Sequence, residues 1–145
     1  MNRPIAILSA LSLIATLGGT ALAAEGPKDA SPGKDRVFEI RTYYTHEGRL
    51  PALNKRFSEH TCDLFKKHGM ELIGFWTPID EKDGKNDKLV YILAYPSREA
   101  AARSWKAFQA DPDWIKARDA SEQDGKIVKK VESVYLNPTD YSAIK

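Results

Sequence analysis

The stretch Lys88–Tyr95, KLVYILAY, most narrows what this chain can fold into. Leu89, Tyr91 and Leu93 recur with the period of a strand, but Val90, Ile92 and Ala94 between them are apolar too, so both faces of the strand require cover. Such a strand belongs at the centre of a sheet.

The neighbouring segments supply that sheet. Val37–Tyr44 (VFEIRTYY) is β-branched and aromatic and reads as a first strand. Leu50, Leu53, Phe57, Thr61, Leu64 and His68 recur at helical spacing, which predicts an amphipathic helix with Pro51 in its first turn and Gly69 just past its end. Met70–Thr77 predicts a second strand, joined to 88–95 as a hairpin through a charged loop with Asp83-Gly84 as its turn signal. Ser97 is placed to cap a helix carrying Ala101, Trp105 and Phe108, and Asp111-Pro112-Asp113 opens a shorter helix to about residue 121. Ile127–Leu136 is the last strand. The order β-α-β-β-α-β is the ferredoxin-like arrangement of the α+β class, with strands one and three central in an antiparallel sheet and both helices on one face. The other face is left bare, and the two-sided apolar character of 88–95 predicts that a second copy covers it.

The residues before this region do not belong to the fold. Residues 1–23 begin with Arg3, continue through the apolar run Ile5–Leu17 and end in Ala21-Leu22-Ala23, the pattern of a secretory signal cleaved after Ala23. The run is shorter than the roughly 20 residues that a bilayer-spanning helix needs, so no membrane anchor is expected after cleavage, and the protein is expected to be exported, periplasmic or secreted. Residues 24–36, AEGPKDASPGKDR, lack any large apolar side chain and read as a flexible linker, leaving 37–145 as one domain. With 22 basic against 20 acidic residues, nucleic acid is not an expected partner. One cysteine, Cys62, excludes an internal disulfide, and three scattered histidines without carboxylates at ligand spacing predict no metal site.

FEIRTY in the first strand, RFSEH in the first helix, HGMELIGFW across the helix end and second strand, and NDKLVYILAY in the third resemble the NIPSNAP family. The resemblance continues through SREAAARSW, DPDW and LNPTDYS and covers Val37–Ser142. It implies a dimeric α/β barrel, the architecture shared with antibiotic-biosynthesis monooxygenases. Any activity it implies is monooxygenase-like and independent of a cofactor. The family supplies no agreed catalytic residues, and the secretory signal and single domain unit depart from its mitochondrial animal members.

Candidate chemistry therefore rests on individual residues. Glu39, Arg41 and Tyr43 project from one face of the first strand at intervals of about 7 Å. With Phe38 and Ile40 assigned to the helix-covered core, these three are expected on the bare face. There Glu39, Arg41 and Tyr43 are candidates for the dimer interface as a register-setting ion pair, and Arg41 with Tyr43 for anchoring an anionic ligand. His60 flanks the apolar stripe of the first helix and is the candidate polar group of a pocket between that helix and the sheet, with Trp76 and Tyr91 as its walls. Two functions follow. The first is an exported protein that binds, or oxidises, a small organic ligand in that pocket. The alternative is a non-catalytic dimeric interaction or scaffold protein. A cavity with convergent polar groups supports the first, and a filled core the second.

Overall fold

A computed structural model describes residues 36–145; the expected signal (1–23) and nearly all of the expected linker (24–36) lie outside the described residues. Four strands, β1 (Val37–Thr45), β2 (Glu71–Trp76), β3 (Lys88–Tyr95) and β4 (Val128–Leu136), form one antiparallel sheet in the order β2-β3-β1-β4. Strands one and three are the central pair, as the sequence requires. The first helix runs as three consecutive segments, α1 (Leu50–Arg56), a π-turn (Phe57–Thr61) and α2 (Cys62–Lys67). The second crossover carries α3 (Arg98–Ala110) and α4 (Pro112–Ser121).

Local chemistry sets the boundaries of these elements. Gly69, at φ +73°, closes α2: its N–H reaches the Lys66 carbonyl and the Met70 N–H reaches that of Phe65, which satisfies two carbonyls at the helix end. Ser97 Oγ accepts the Ala100 N–H at 3.1 Å and starts α3, and Asp111 Oδ1 accepts the Asp113 N–H at 2.8 Å and starts α4. The other oxygen of Asp111 lies 2.6 Å from His68 Nε2 and 2.9 Å from Lys67 Nζ, tying the end of α2 to the start of α4. His68 thus has a specific carboxylate partner beyond the helix-end role its position implies.

The π-turn is absent from the sequence pattern. The Cys62 N–H bonds the Phe57 carbonyl five residues back, and the Thr61 hydroxyl donates to the Arg56 carbonyl at 3.1 Å. Leu53, Phe57, Thr61, Leu64 and Phe65 turn inward. His60 stands outside this buried row, exposed to solvent.

The core lies between helices and sheet. Phe57, Phe65, Phe75 and Tyr91 pack as one aromatic group, with Phe75 stacked on Tyr91 at a centroid distance of 5.3 Å and Phe57 tilted against Tyr91, also at 5.3 Å. Phe65 continues into Phe108 of α3 at 4.9 Å, and Phe108 into Trp114 of α4 at 4.5 Å.

The register corrects the expected face of β1. Arg41 pairs with Tyr91 and Glu39 with Leu93, and Tyr91, Leu93 and Tyr95 face the helices, so Glu39, Arg41 and Tyr43 face the helices as well. Phe38 and Ile40 lie on the open face, beside Ile92 of β3 and opposite Leu136 and Val134 of β4. Both faces of this strand carry large side chains, so alternation alone does not fix which one turns inward. The open face is apolar: Val134 is 53% exposed, Trp76 51% and Leu136 42%. A groove of about 330 Å³ crosses it, lined by Phe38, Ile73, Ile92, Leu136 and the tail residues Pro138 and Ile144. Trp76 lies flat over Gly74, where a Cβ would come within 2.5 Å of its ring.

Leu53, with no exposed surface, seats the first helix. Leu53→Ala is expected to lower stability by about 2–5 kcal/mol in urea unfolding. A loss below about 0.5 kcal/mol, the range of surface substitutions, would mean that this helix does not depend on the packing described.

Candidate functional site

Beneath α3, one carboxylate collects four donors. Glu39 is completely buried. Its Oε1 accepts from Arg41 Nη1 at 2.7 Å and Ser133 Oγ at 2.6 Å; its Oε2 accepts from Tyr95 Oη at 2.8 Å and Trp105 Nε1 at 2.6 Å. Burial pushes the Glu39 carboxyl up, but the bonds from Ser133, Trp105, Tyr95 and Arg41 outweigh it and hold the group below the usual range. A carboxylate with its oxygens so engaged is an anchor and not a base.

Arg41 carries the group's positive charge toward the surface, its side chain retaining 17% exposure. Its guanidinium lies 4.2 Å from the Trp105 ring centroid and 5.6 Å from that of Tyr43. Burial lowers its pKa, but Tyr43, Tyr91 and Glu39 more than reverse this, so the charge is secure. Two buried polar atoms here have no partner among the described residues, Arg41 Nε and the Tyr91 hydroxyl. Burial raises the Tyr91 pKa well above its ordinary value, with Tyr43 adding to the rise and Arg41 opposing it, so the hydroxyl keeps its proton at neutral pH.

The helices pack chiefly on β2 and β3, and β4 is left open on this side as well. Ser133 and Val131, paired with Arg41 and Tyr43, are both exposed. Arg41, Tyr43, Val131 and Ser133 thus share one side of β1 and β4. Trp105 stacks on Arg41 beside them, and on the same side Arg98 lies 3.4 Å from the Tyr135 ring centroid. Close to Tyr43, a second buried cation, Arg56, bonds Ser121 Oγ at 3.1 Å and Glu122 Oε1 at 3.4 Å.

The residues singled out from sequence separate accordingly. Arg41, Tyr43 and Tyr91 come together, on the helix-covered face. Glu39, Arg41 and Tyr43 are therefore not on the bare face where a dimer interface was expected; the hydrogen bonds of Glu39 compensate the cost of burying its charge inside the protomer. His60 points to solvent, because the inward position of that turn belongs to Thr61. Trp76 is on the opposite face of the sheet from Tyr91, since it pairs with Val90 while Phe75 pairs with Tyr91. Beneath the first helix itself, aromatic side chains occupy the expected pocket. Ser133, Tyr95 and Arg56 were not singled out; nothing in their local sequence marks them, and only strand register brings the first two to Glu39. Burial raises the Cys62 thiol, which removes it as a nucleophile at neutral pH. No three His, Cys, Asp or Glu side chains are placed to hold a metal among the described residues.

The lowered Glu39 pKa has a definite sign in stability. The folded state prefers the charged form, so the contribution is present above the ordinary Glu value near ~4.3 and is lost as pH falls below it. Glu39→Gln sets an amide against donors and is expected to cost about 3–5 kcal/mol at neutral pH and to flatten the acid limb of the stability profile, read by urea unfolding at several pH values. An unchanged acid limb would reassign that sensitivity to other carboxylates.

The NIPSNAP family model matches residues 38–143. A NIPSNAP family protein of unknown function from Agrobacterium tumefaciens superimposes with a TM-score of 0.65 at 25% identity, over 77% of this chain and 95% of that one. A NIPSNAP-like domain protein from Burkholderia xenovorans gives a TM-score of 0.63 at 19% identity, over 74% and 88%. SnoaB, a cofactor-independent oxygenase from Streptomyces nogalater, is similar in fold alone, with a TM-score of 0.50 at 13% identity over 74% and 96%. No curated protein matches the sequence.

Proposed function

This chain belongs to the NIPSNAP family, and from that membership and the partly exposed Arg41 beside the uncovered strand β4 we propose that it is an exported homodimer that binds a small organic ligand against Arg41, Tyr43 and Tyr91. One observation carries the reading. Arg41 Nε and the Tyr91 hydroxyl are buried donors without protein partners among the described residues, on a sheet face whose outer strand solvent reaches. An unpaired buried donor costs about 1–3 kcal/mol, and a ligand oxygen that meets it recovers that cost. Trp105 and Tyr43 supply flat apolar walls, while Glu39 and Trp105 hold the guanidinium in one orientation. The reading is of a binder first; Glu39 is occupied and Cys62 is a poor nucleophile, so an oxygenase-like reaction would draw its reactivity from the ligand.

Extraction of the purified protein and mass spectrometry of the small molecules that accompany it tests this. A ligand should be recovered from the native chain and be strongly depleted from Arg41→Gln. Equal recovery from both would remove Arg41 from the site. The scaffold reading draws on the aromatic rings that fill the space beneath the first helix, and empty extracts from both chains would favour it.

The dimer is proposed through the open sheet face. Ile40, Ile92, Val134 and Leu136 share an apolar face, grooved beside the C-terminal tail, that can meet its own copy about a two-fold axis. Sedimentation at micromolar concentration should show a dimer, and Val134→Asp, which places a charge at an already exposed position, should give a folded monomer. A monomeric native protein would overturn this. Export with cleavage after Ala23 predicts an intact mass for the exported form that begins at Ala24.

A further inference from the structure

Arg41 has two edges, and the protein uses one. Glu39 Oε1 takes Nη1, and Glu39 Oε2 is filled by Tyr95 and Trp105, so the carboxylate does not engage the guanidinium in a two-pronged pair. Nε is buried without a partner, and Nη2 makes no hydrogen bond among the described residues. The Nε and Nη2 hydrogens project in parallel from the same side of the guanidinium, a fork that matches two oxygens of one acid group. Trp105 fixes the plane of that fork twice, by stacking at 4.2 Å and by donating to the carboxylate that holds Nη1. The Tyr91 hydroxyl is the second free donor, across the strand pair from Arg41.

Resting on the ligand-binding reading above, we infer that the ligand's polar group is a carboxylate, received by the Nε and Nη2 edge of Arg41, on a flat unsaturated body that lies against Trp105 and Tyr43. The charges nearby disfavour a dianion. Glu39 already shares Arg41 and Glu122 shares Arg56, so a carboxylate adds one negative charge to a partly desolvated site where a phosphate dianion would add two, and the fork of donors offsets the smaller addition better. The surrounding side chains favour an aromatic frame over a small hydrated acid, since they offer rings and few further polar contacts.

Calorimetric titration of the processed chain with 2-naphthoate, and with 2-naphthalenemethanol as the same frame without the acid, tests the inference. The acid is expected to bind at least tenfold more tightly than the alcohol. Arg41→Lys keeps the charge and removes the fork; it should abolish that ratio. Equal affinity of the two probes for the native chain would overturn the carboxylate assignment and leave the ligand-binding reading standing. Binding of neither would overturn both. Displacement of 2-naphthoate by millimolar inorganic phosphate would reassign the fork to phosphate and also overturn the inference. The native comparison does not depend on any variant folding.

Discussion

The buried Glu39 carboxylate is the interaction on which the helix-facing side of this molecule depends. Placing an ion there without partners would cost several kcal/mol, and the chain meets that cost with donors from β1, β3, β4 and α3 at once. The same four bonds therefore do structural work across three strands and one helix. They also decide the chemistry of the site: with its oxygens engaged, Glu39 positions Arg41 and does not accept a proton from a ligand. Arg41 in turn is held by one edge and by a ring, which leaves its other edge aimed by the fold and not by solvent.

A second constraint comes from how little of the sheet the helices cover. They seat on β2 and β3 through Leu53, Phe57, Phe65 and Phe108, and β4 stays exposed on both of its faces. The two exposed sides differ in character. Beside Arg41 the uncovered strand offers Ser133 and Val131, a mixed floor suited to a small ligand. On the reverse, Val134 and Leu136 join Ile92 and Trp76 in an apolar surface suited to another sheet. A single β-sheet thus separates the proposed ligand site from the proposed dimer contact, which explains why Trp76 and Tyr91 do not share a pocket despite their nearness in the hairpin.

The element order was legible because each boundary has a local chemical cause. Gly69, Ser97 and Asp111-Pro112 act within a turn of where they stand, and the apolar run of β3 states its central place without reference to any other segment. The candidate site was legible only in part. Arg41, Tyr43 and Tyr91 were identifiable as chemistry-bearing residues, but His60 flanks the stripe beside Thr61, and a flanking position does not decide between pocket and solvent. The face of β1 was misread for a different reason. Hydropathy assigns a carboxylate to the outside, and it has no means of knowing that Tyr95, Trp105 and Ser133 will arrive to bond it.

What the sequence determined by itself was the architecture and the family. Caps, turns and apolar periods act over a few residues, and those distances are fixed by the covalent chain. What only the tertiary structure decided was which face of β1 turned inward, which edge of Arg41 was left free, and which polar atoms were buried without partners. Those outcomes depend on residues 56 to 94 positions from Glu39 in the chain. Their hydrogen bonds exist once the sheet register and the seat of α3 are set, and a buried charge is tolerated only where such bonds converge.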